Sequence, residues 1–263
     1  MDNLIDLREK YRPRTFSDII GNASPIRILK RIITSGCFPQ GIIIHGETGS
    51  GKTSLAYVFA RASNCENFVD DLCGECEPCK SIMNDFPYSS ISYGIHIHDC
   101  SLIDGKRLDE IFKNHLYFIQ CNRIKKDFHI FDEFHRIRDA SQDKFLRHLE
   151  INRNLLFIFC LIDISKIEKA FRDRTVVLKT SRPELTVIVP WLRRICNQEG
   201  IAIENPNALR QLATEANRSP RACLGTLQKI LYLGEPITMA LVENLLAEEL
   251  SNRESGEDLI LDD

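Results

Sequence analysis

Residues 41–53 read GIIIHGETGSGKT, and this stretch decides the fold. Residues 42–45 have the pattern of a short buried strand, and residues 46–53 fit the motif G-x-x-x-x-G-K-[ST]. The next residues, SLAYVFAR, place apolar side chains at helical spacing. A strand, a glycine-rich turn and the start of a helix, in this order, are the context that a phosphate-binding P-loop requires.

The motif assigns a task to each part of the loop. Backbone N–H groups turn inward around phosphate oxygens, and the N-terminus of the following helix adds favourable partial charge. Lys52 is expected to reach the β- and γ-phosphates of a nucleotide, and the Thr53 hydroxyl to hold Mg²⁺. The predicted nucleotide-binding positions are Gly46, Glu47, Thr48, Gly49, Ser50, Gly51, Lys52 and Thr53. A glycine-rich turn that matches by chance is the alternative, which the flanking strand and helix disfavour.

Length and composition set the class of protein. The chain has 263 residues, which suits one large domain or two modest ones. Hydrophobic residues make up 43% and charged residues 27%, as in an ordinary globular protein. The formal net charge of -3 argues against a generally cationic nucleic-acid coat but allows a local basic surface. No apolar run approaches the roughly 18 residues of a membrane span, and the N-terminus lacks a signal-peptide core, so a cytoplasmic location is expected.

The order of patterns along the chain predicts two domains. Strand and helix patterns alternate over residues 1–182, which predicts an α/β domain built on a parallel sheet. The opening segment around Pro13 is predicted to be an extended arm, because proline ends a regular helix. Residues 183–250 contain only helix-length segments and predict a small all-α domain. Residues 251–263 are predicted to be an acidic flexible tail.

A second acidic site is expected at the end of a neighbouring strand. Residues 128–133 read FHIFDE, an apolar strand pattern that ends in Asp132 and Glu133. Paired with the P-loop, Asp132 would complete the magnesium shell, and Glu133 would act as general base on the attacking water. Taken alone, the pair is equally compatible with a surface cap on the following helix.

Four closely spaced cysteines form a second strong signal. Residues 65–79 read CENFVDDLCGECEPC, so that Cys65, Cys73, Cys76 and Cys79 include two overlapping C-x-x-C steps. Four thiolates at this spacing can close a tetrahedral zinc site of the structural type. A thioredoxin-like redox pair is the alternative for an isolated C-x-x-C, and the two additional cysteines disfavour it.

This order of motifs resembles the ATPase subunits of sliding-clamp loaders, specifically the gamma/tau subunits of bacterial DNA polymerase III. The resemblance covers roughly residues 7–248 and begins with KYRPRTF at 10–16. Its most specific feature is the four-cysteine module inserted directly after the P-loop helix. The resemblance implies an AAA+ fold, with a five-stranded parallel sheet followed by a helical lid. The family's third, oligomerising collar domain would begin where this chain stops.

The resemblance also implies roles for two arginines. Arg174 aligns with the family's arginine finger, which reaches the γ-phosphate of a neighbouring subunit, although the flanking residues Asp173 and Thr175 differ from the family's S-R-C. Arg221 aligns with the sensor arginine of the lid, which contacts phosphate within its own subunit. The polar sensor that usually ends the fourth strand is replaced by Ile162, with Asp163 as a possible substitute. For each arginine taken alone, a solvated side chain is the alternative.

The resemblance implies an ATP-hydrolysing clamp-loader subunit that uses ATP and Mg²⁺, carries Zn²⁺, and loads a sliding clamp onto primed double-stranded DNA. Its expected partners are other clamp-loader subunits and the clamp, in a hetero-oligomer without membrane contact. Basic residues near the second acidic site are candidates for phosphate contacts with DNA, or for a solvated face: Arg136, Arg138, Lys144 and Arg147. A non-hydrolysing scaffold subunit of the delta-prime type and a stand-alone AAA+ regulator are the alternative functions.

Overall fold

The structure is a computed structural model, and it describes residues 5–84, 94–115, 126–137, 139–151, 155–245 and 247. It divides into two compact units. One unit comprises residues 13–181, and the other comprises residues 1–12 together with residues 182–263.

The first unit is built on a five-stranded parallel sheet. The strands are β1 (Gly41–His45), β2 (Ile95–Asp99), β3 (Asp127–Asp132), β4 (Leu155–Leu161) and β5 (Val176–Lys179). They lie in the order β2-β3-β4-β1-β5, and all neighbouring pairs are parallel. Strand β4 is buried at every position, as expected of a parallel strand covered on both faces. The predicted fold class is confirmed.

Helices connect the strands and form the second unit. Their bounds are α1 (Leu7–Lys10), α2 (Ala23–Ser35), α3 (Lys52–Asn64), α4 (Glu77–Asn84), α5 (Gly105–His115), α6 (Asp139–Ile151), α7 (Lys169–Arg172), α8 (Leu185–Glu199), α9 (Pro206–Glu215) and α10 (Pro220–Leu233). Helix patterns in the sequence at residues 25–35, 78–84 and 140–149 lie within α2, α4 and α6, whereas the short helices α1 and α7 were not predicted. None of the helices in the described ranges is long and apolar enough to cross a membrane.

Two apolar clusters cover the two faces of the sheet. On one face, α2 and α3 pack against β1, β3 and β4, and Leu55, Phe59 and Phe128 are fully buried there. The other face is lined by aromatic rings from β3, β4, α6 and α7, including Phe131 and Phe159, whose ring centroids are 5.8 Å apart. Burial on both faces holds the strand ends in fixed register, which is the requirement for a site built at those ends.

The segment before Pro13 differs from the predicted extended arm, because residues 7–10 form the short helix α1. Asp6 caps this helix, and the buried Leu7 donates its backbone N–H to Gln228 Oε1 on α10 at 2.7 Å. Lys10 pairs with Glu199 on α8 at 2.8 Å. Residues 1–12 therefore lie with the helical unit rather than with the sheet. Local sequence patterns carry no information about such a long-range contact.

The helical unit contains α8, α9 and α10 around a buried centre. Leu192, Leu209 and Leu227 are fully buried, one from each helix. Pro190 lies inside α8, and Ser219 caps α10 by accepting a hydrogen bond from the Ala222 N–H. The sequence also has a strand pattern at residues 92–99 and a helix pattern at residues 106–122. Residues 92–93 and 116–122 of these two patterns, and the predicted tail at residues 251–263, lie outside the described residues.

Candidate functional site

The loop after β1 contains two glycines, at its beginning and near its end, that no other residue could replace without backbone strain. Gly46 has a φ of 153°, and a Cβ there would lie 2.3 Å from the backbone oxygen of Thr180. Gly51 has a φ of 90° and directly precedes Lys52, the first residue of α3. Only glycine accepts these angles at low cost. The loop therefore leads from β1 straight into the N-terminus of α3, as the motif predicts.

Lys52 is held inside this loop. Its side chain is buried, and its Nζ donates to the backbone oxygens of Gly46 at 2.9 Å and Glu47 at 3.0 Å. A lysine cation so placed, at the positive end of a helix, makes the loop strongly attractive to anions. Phosphate oxygens are stronger partners for an ammonium group than neutral carbonyls are. The loop can therefore exchange these two contacts for a bound phosphate.

The C-terminal end of β3 brings an acidic group to the loop. Thr53 Oγ1 donates to Asp132 Oδ2 at 2.8 Å, across two elements that are 79 residues apart in the chain. Burial raises the pKa of Asp132, and the hydrogen bond from Thr53 opposes this shift. A hydroxyl and a carboxylate in contact at a phosphate-binding loop are the oxygen ligands that Mg²⁺ prefers.

Glu133 follows in a left-handed conformation, with a φ of 54°. Its backbone N–H donates to Asp132 Oδ1 at 3.1 Å, and its carboxylate lies 3.4 Å from His135 Nε2. A positive φ is uncommon for a residue with a side chain. At Glu133 the chain turns away from the direction of β3. The two neighbouring carboxylates therefore have different partners, Thr53 for Asp132 and His135 for Glu133.

Asp132→Asn is expected to raise the melting temperature of the metal-free protein at neutral pH. Because burial raises the pKa of Asp132, the folded state holds this proton more tightly than the unfolded state does. Ionised Asp132 therefore lowers the free energy of unfolding. This cost is fully present at pH values above the pKa of Asp132 in the folded state, and it vanishes below the pKa of Asp132 in the unfolded state. Asparagine keeps the Thr53 contact without the charge. The gain should therefore shrink as the pH falls from 7 towards 4, in thermal melts recorded with a chelator.

Asp163→Asn is the matched control for this prediction. Asp163 is exposed, and hydrogen bonds from the Ser165 hydroxyl and N–H lower its pKa. Its replacement should give no stabilisation at any pH. An Asp132→Asn protein that melts at or below the unmutated temperature at pH 7 would contradict the account of a costly buried charge.

A polar network on the far side of the loop was missed in the sequence. Asn22, in a left-handed conformation, donates to the Ser50 oxygen at 3.0 Å and accepts from the Ser181 N–H at 2.9 Å. The Ser50 and Thr180 hydroxyls are 2.8 Å apart. These contacts tie the loop to the segments before α2 and after β5. The Gly-Asn pair at residues 21–22 was the available signal, since both residues favour left-handed turns.

Arg174 and Ile162 lie apart from the loop residues. Arg174 is exposed, two residues before β5, and its guanidinium donates to the Ala170 oxygen at 2.9 Å. Lys179, five residues later, is the residue level with His45 at the loop end of β1. Arg174 therefore precedes the opposite end of β5, which at about 3.3 Å per residue runs about 10 Å from Val176 to Lys179. Ile162 is 41% exposed at the end of β4, and the neighbouring Asp163 carboxylate is engaged by Ser165.

The four cysteines meet in one cluster. No disulfide joins them, and their sulfurs all lie within 4.8 Å of one another. The distances from Cys73 to Cys79 and from Cys65 to Cys76 are both 4.0 Å. Tetrahedral zinc with bonds of about 2.3 Å would hold its sulfurs about 3.8 Å apart. The cluster therefore has nearly the dimensions of a structural metal site.

The surroundings of the cluster shift the pKa values of its thiols in opposite directions, and they fix the position of the cluster. Backbone N–H groups of Cys76 and Glu75 lower the pKa of Cys73 to about 6, whereas burial raises that of Cys79. Asp71, within the cysteine segment, accepts hydrogen bonds from the N–H groups of Phe16 and Ser17 at 3.0 and 2.9 Å. The module is thus tied to the segment before α2.

Two arginines of the helical unit lie near each other. Arg221 is exposed at the N-terminal end of α10. Burial lowers the pKa of Arg12, and the positive charge of Arg221 lowers it further. Like charges at a helix N-terminus favour the binding of an anion.

The four basic residues predicted to contact DNA have different surroundings. Lys144 pairs with Asp109 at 2.6 Å, Arg136 and Arg147 are exposed, and Arg138 lies outside the described residues.

Comparison with known proteins gives consistent matches. Residues 21–184 match the family model described as DNA polymerase III, delta subunit. The chain is 31% identical over 247 residues to DNA polymerase III subunit gamma/tau of Mycoplasma pneumoniae, which covers 90% of this chain and 34% of the relative. It is 29% identical over 243 residues to the tau/gamma subunit of Haemophilus influenzae, covering 91% and 34%. The chain thus spans about a third of the length of these relatives.

The structure resembles solved structures of a second kind. RuvB of Thermotoga maritima, a Holliday junction branch migration motor, superposes with a TM-score of 0.62 over 89% of this chain and 71% of that one. The sequence identity is 15%, so this likeness concerns the fold alone. The shared fold is a parallel sheet flanked by helices and followed by a helical unit.

Proposed function

Since the chain belongs to the DNA polymerase III delta subunit family, we propose that it is an ATP-hydrolysing subunit of a clamp loader. In this role it would place a sliding clamp onto primed double-stranded DNA during replication. The contact between Thr53 and Asp132, beside the buried Lys52, carries the proposal. The relatives named gamma/tau support it, and they imply work beside the chromosome in the cytoplasm.

In the proposed site, each residue has a defined task. Lys52 exchanges its two carbonyl contacts for the β- and γ-phosphates, while Thr53 and Asp132 hold Mg²⁺. Glu133 acts as general base on the attacking water. The backbone of the loop binds the remaining phosphate oxygens. Arg174 would act on a neighbouring subunit's nucleotide, because its position before β5 keeps it from the loop of its own chain.

Arg221 is proposed to bind phosphate from the same chain. Its charge and that of Arg12 repel, and a phosphate would relieve this repulsion. Arg136 and Arg147, both exposed, are the residues that best support contact with DNA phosphates. Lys144 is less suited to this task, because its ammonium group is already paired with Asp109.

A non-hydrolysing scaffold subunit is the second candidate, and the delta description of the matching family model favours it. Ile162 in place of a polar sensor also points in this direction, since no side-chain hydrogen-bonding group stands there. The intact Gly51, Lys52, Thr53 and Asp132 favour hydrolysis. A stand-alone AAA+ regulator would share the nucleotide site but would bind neither clamp nor loader subunits.

Nucleotide binding, turnover and partner capture together test these candidates. We expect the protein to bind ATP with Mg²⁺, to hydrolyse it faster when clamp and primed DNA are added, and to retain clamp and loader subunits on an affinity column. Binding without turnover under all these conditions would favour the scaffold. Turnover that ignores clamp and DNA, with no subunit captured, would favour the regulator.

The cysteine cluster is proposed to hold one structural Zn²⁺. Cys76→Ser should abolish the thiolate-bound metal and destabilise the fold. Structural zinc contributes about 10 kcal/mol or more of apparent binding free energy in small peptides. A third of that value would lower the melting temperature by about 10 °C, given about 2–4 °C per kcal/mol for a domain of this size. Elemental analysis and thermal melts measure the two effects.

Cys37→Ser is the matched control, because Cys37 is exposed and outside the cluster. It should change neither the metal content nor the melting temperature. Zinc-stripped protein that melts at the same temperature as the zinc-loaded protein would contradict a structural role for this metal.

A further inference from the structure

A second group of metal-binding side chains lies on the sheet, away from the cysteines. His96 and His98 come from the edge strand β2, and Asp127 and His129 come from the neighbouring β3. His96 is the direct register partner of His129. Because side chains alternate along a strand, these four residues share one face of the sheet. Their imidazoles stack, with ring centroids 4.6 Å apart for His96 and His129 and 5.2 Å apart for His98 and His129.

The carboxylate of Asp127 lies near the Nε2 atoms of two of these rings, those of His96 and His129. Its Oδ1 is 3.0 Å from His96 Nε2, and its Oδ2 is 3.7 Å from His129 Nε2. One ligand atom from each of the three residues lies within 4.8 Å of the other two. Tetrahedral zinc with bonds of about 2.0–2.1 Å would hold such atoms about 3.3–3.4 Å apart. The distance to His96 is slightly shorter than this value and the distance to His129 slightly longer, and each is measured to a different oxygen of the carboxylate.

The fourth residue, His98, orients one of the ligands. Its Nε2 lies 3.0 Å from His129 Nδ1, so the two rings share a hydrogen bond. When His129 donates from Nδ1, its Nε2 carries a lone pair directed towards Asp127. A metal-ligating histidine usually donates its other ring N–H to a neighbouring acceptor in this way.

We propose that His96, Asp127 and His129 form a Zn²⁺ site, with His98 as the residue that positions His129. Three protein ligands leave a fourth position open to water or another donor. The site lies at the start of β3, whereas the nucleotide residue Asp132 ends that strand about 16 Å away. Bound metal would tie the edge strand β2 to β3. The proposal is independent of ATP hydrolysis and of the cysteine cluster.

Metal titration of the chelator-stripped full chain tests the site. We expect two Zn²⁺ per unmutated chain, one of which remains in Cys76→Ser. Asp127→Asn should lose the other and keep the thiolate-bound ion. His98→Gln should retain both ions and weaken the second by about 10–100-fold, as is typical of a residue that orients a ligand. His148→Gln is the control, since His148 stacks on Phe112 and should leave both ions unchanged.

Co²⁺ gives a readout that does not depend on the variants folding. In the unmutated protein, Co²⁺ at the cysteines gives a strong thiolate charge-transfer band, whereas Co²⁺ at the histidines does not. After the first site is filled, a second equivalent should broaden the ring signals of His96 and His129 in NMR spectra and leave His148 unaffected. A chain that takes up no second equivalent, or whose second ion leaves His96 and His129 unperturbed, would overturn the proposal.

Discussion

Lys52→Ala is expected to reduce ATP turnover by about two orders of magnitude or more, the usual loss when one preorganised charge-stabilising donor is removed. The Lys52 ammonium is buried in the loop, where it donates to the neutral backbone carbonyls of Gly46 and Glu47. Phosphoryl transfer spreads negative charge over the γ-phosphate oxygens, and Lys52 is the cation placed to balance it. Turnover is measured in the assembly that gives the highest rate, together with nucleotide affinity.

Lys166→Ala is the matched control for this variant. Lys166 is exposed in the turn after β4 and takes no part in the loop. It should hydrolyse ATP at the unmutated rate. Circular dichroism would verify the fold of the Lys52 variant, because its substitution leaves the Gly46 and Glu47 oxygens without this donor. A folded Lys52→Ala protein with unmutated turnover would show that the loop is not the catalytic site.

The sequence was most informative where short-range chemistry decides the structure. The nearly continuous apolar run at residues 155–162 indicates a parallel strand buried on both faces, because a strand with one solvated face would alternate apolar and polar residues. Strand β4 lies there and is buried at every position. The glycine-rich motif predicted a turn between a strand and a helix, and in the structure Gly46 and Gly51 form this turn at positive φ angles. The cysteine spacing predicted a cluster, and the four sulfurs meet.

Contacts between distant segments were the part that the sequence could not supply. Nothing near Leu7 indicates that its N–H would bond to Gln228, a contact that links residues 5–12 to the helical unit. The bond between Ser50 and Thr180 likewise joins residues 130 positions apart. The histidine group was missed for the same reason. His96 and His129 meet only through strand register, which single-strand patterns do not encode.

The position of Arg174 leads to a prediction about assembly. The residue is exposed before β5, at the opposite end of the strand from Lys179, which is level with the loop end of β1. Its side chain therefore lies at the other end of the strand from the loop that contains Lys52, and its guanidinium donates to the Ala170 oxygen. If the arginine acts in catalysis, it therefore acts on the nucleotide of a neighbouring subunit.

Arg174→Ala is accordingly expected to lower the rate of ATP turnover by about 10³-fold, the lower range for loss of an arginine finger. The affinity for nucleotide should remain unchanged, because the chain's own loop keeps all its contacts. Lys169→Ala, an exposed cation on the adjoining α7, serves as control and should leave both quantities unchanged. Parallel measurements of the turnover rate and of the nucleotide dissociation constant separate the two effects.

Mixing the two variants distinguishes action between chains from action within one. In a mixed assembly, the Lys52→Ala chain still offers Arg174, and the Arg174→Ala chain still offers an intact loop. Turnover should then rise above that of either variant alone, because an interface between the two supplies every group. An arginine that served its own nucleotide would give no such recovery and would weaken binding in the single variant. Recovery together with unchanged affinity would establish that the site is completed by a neighbour.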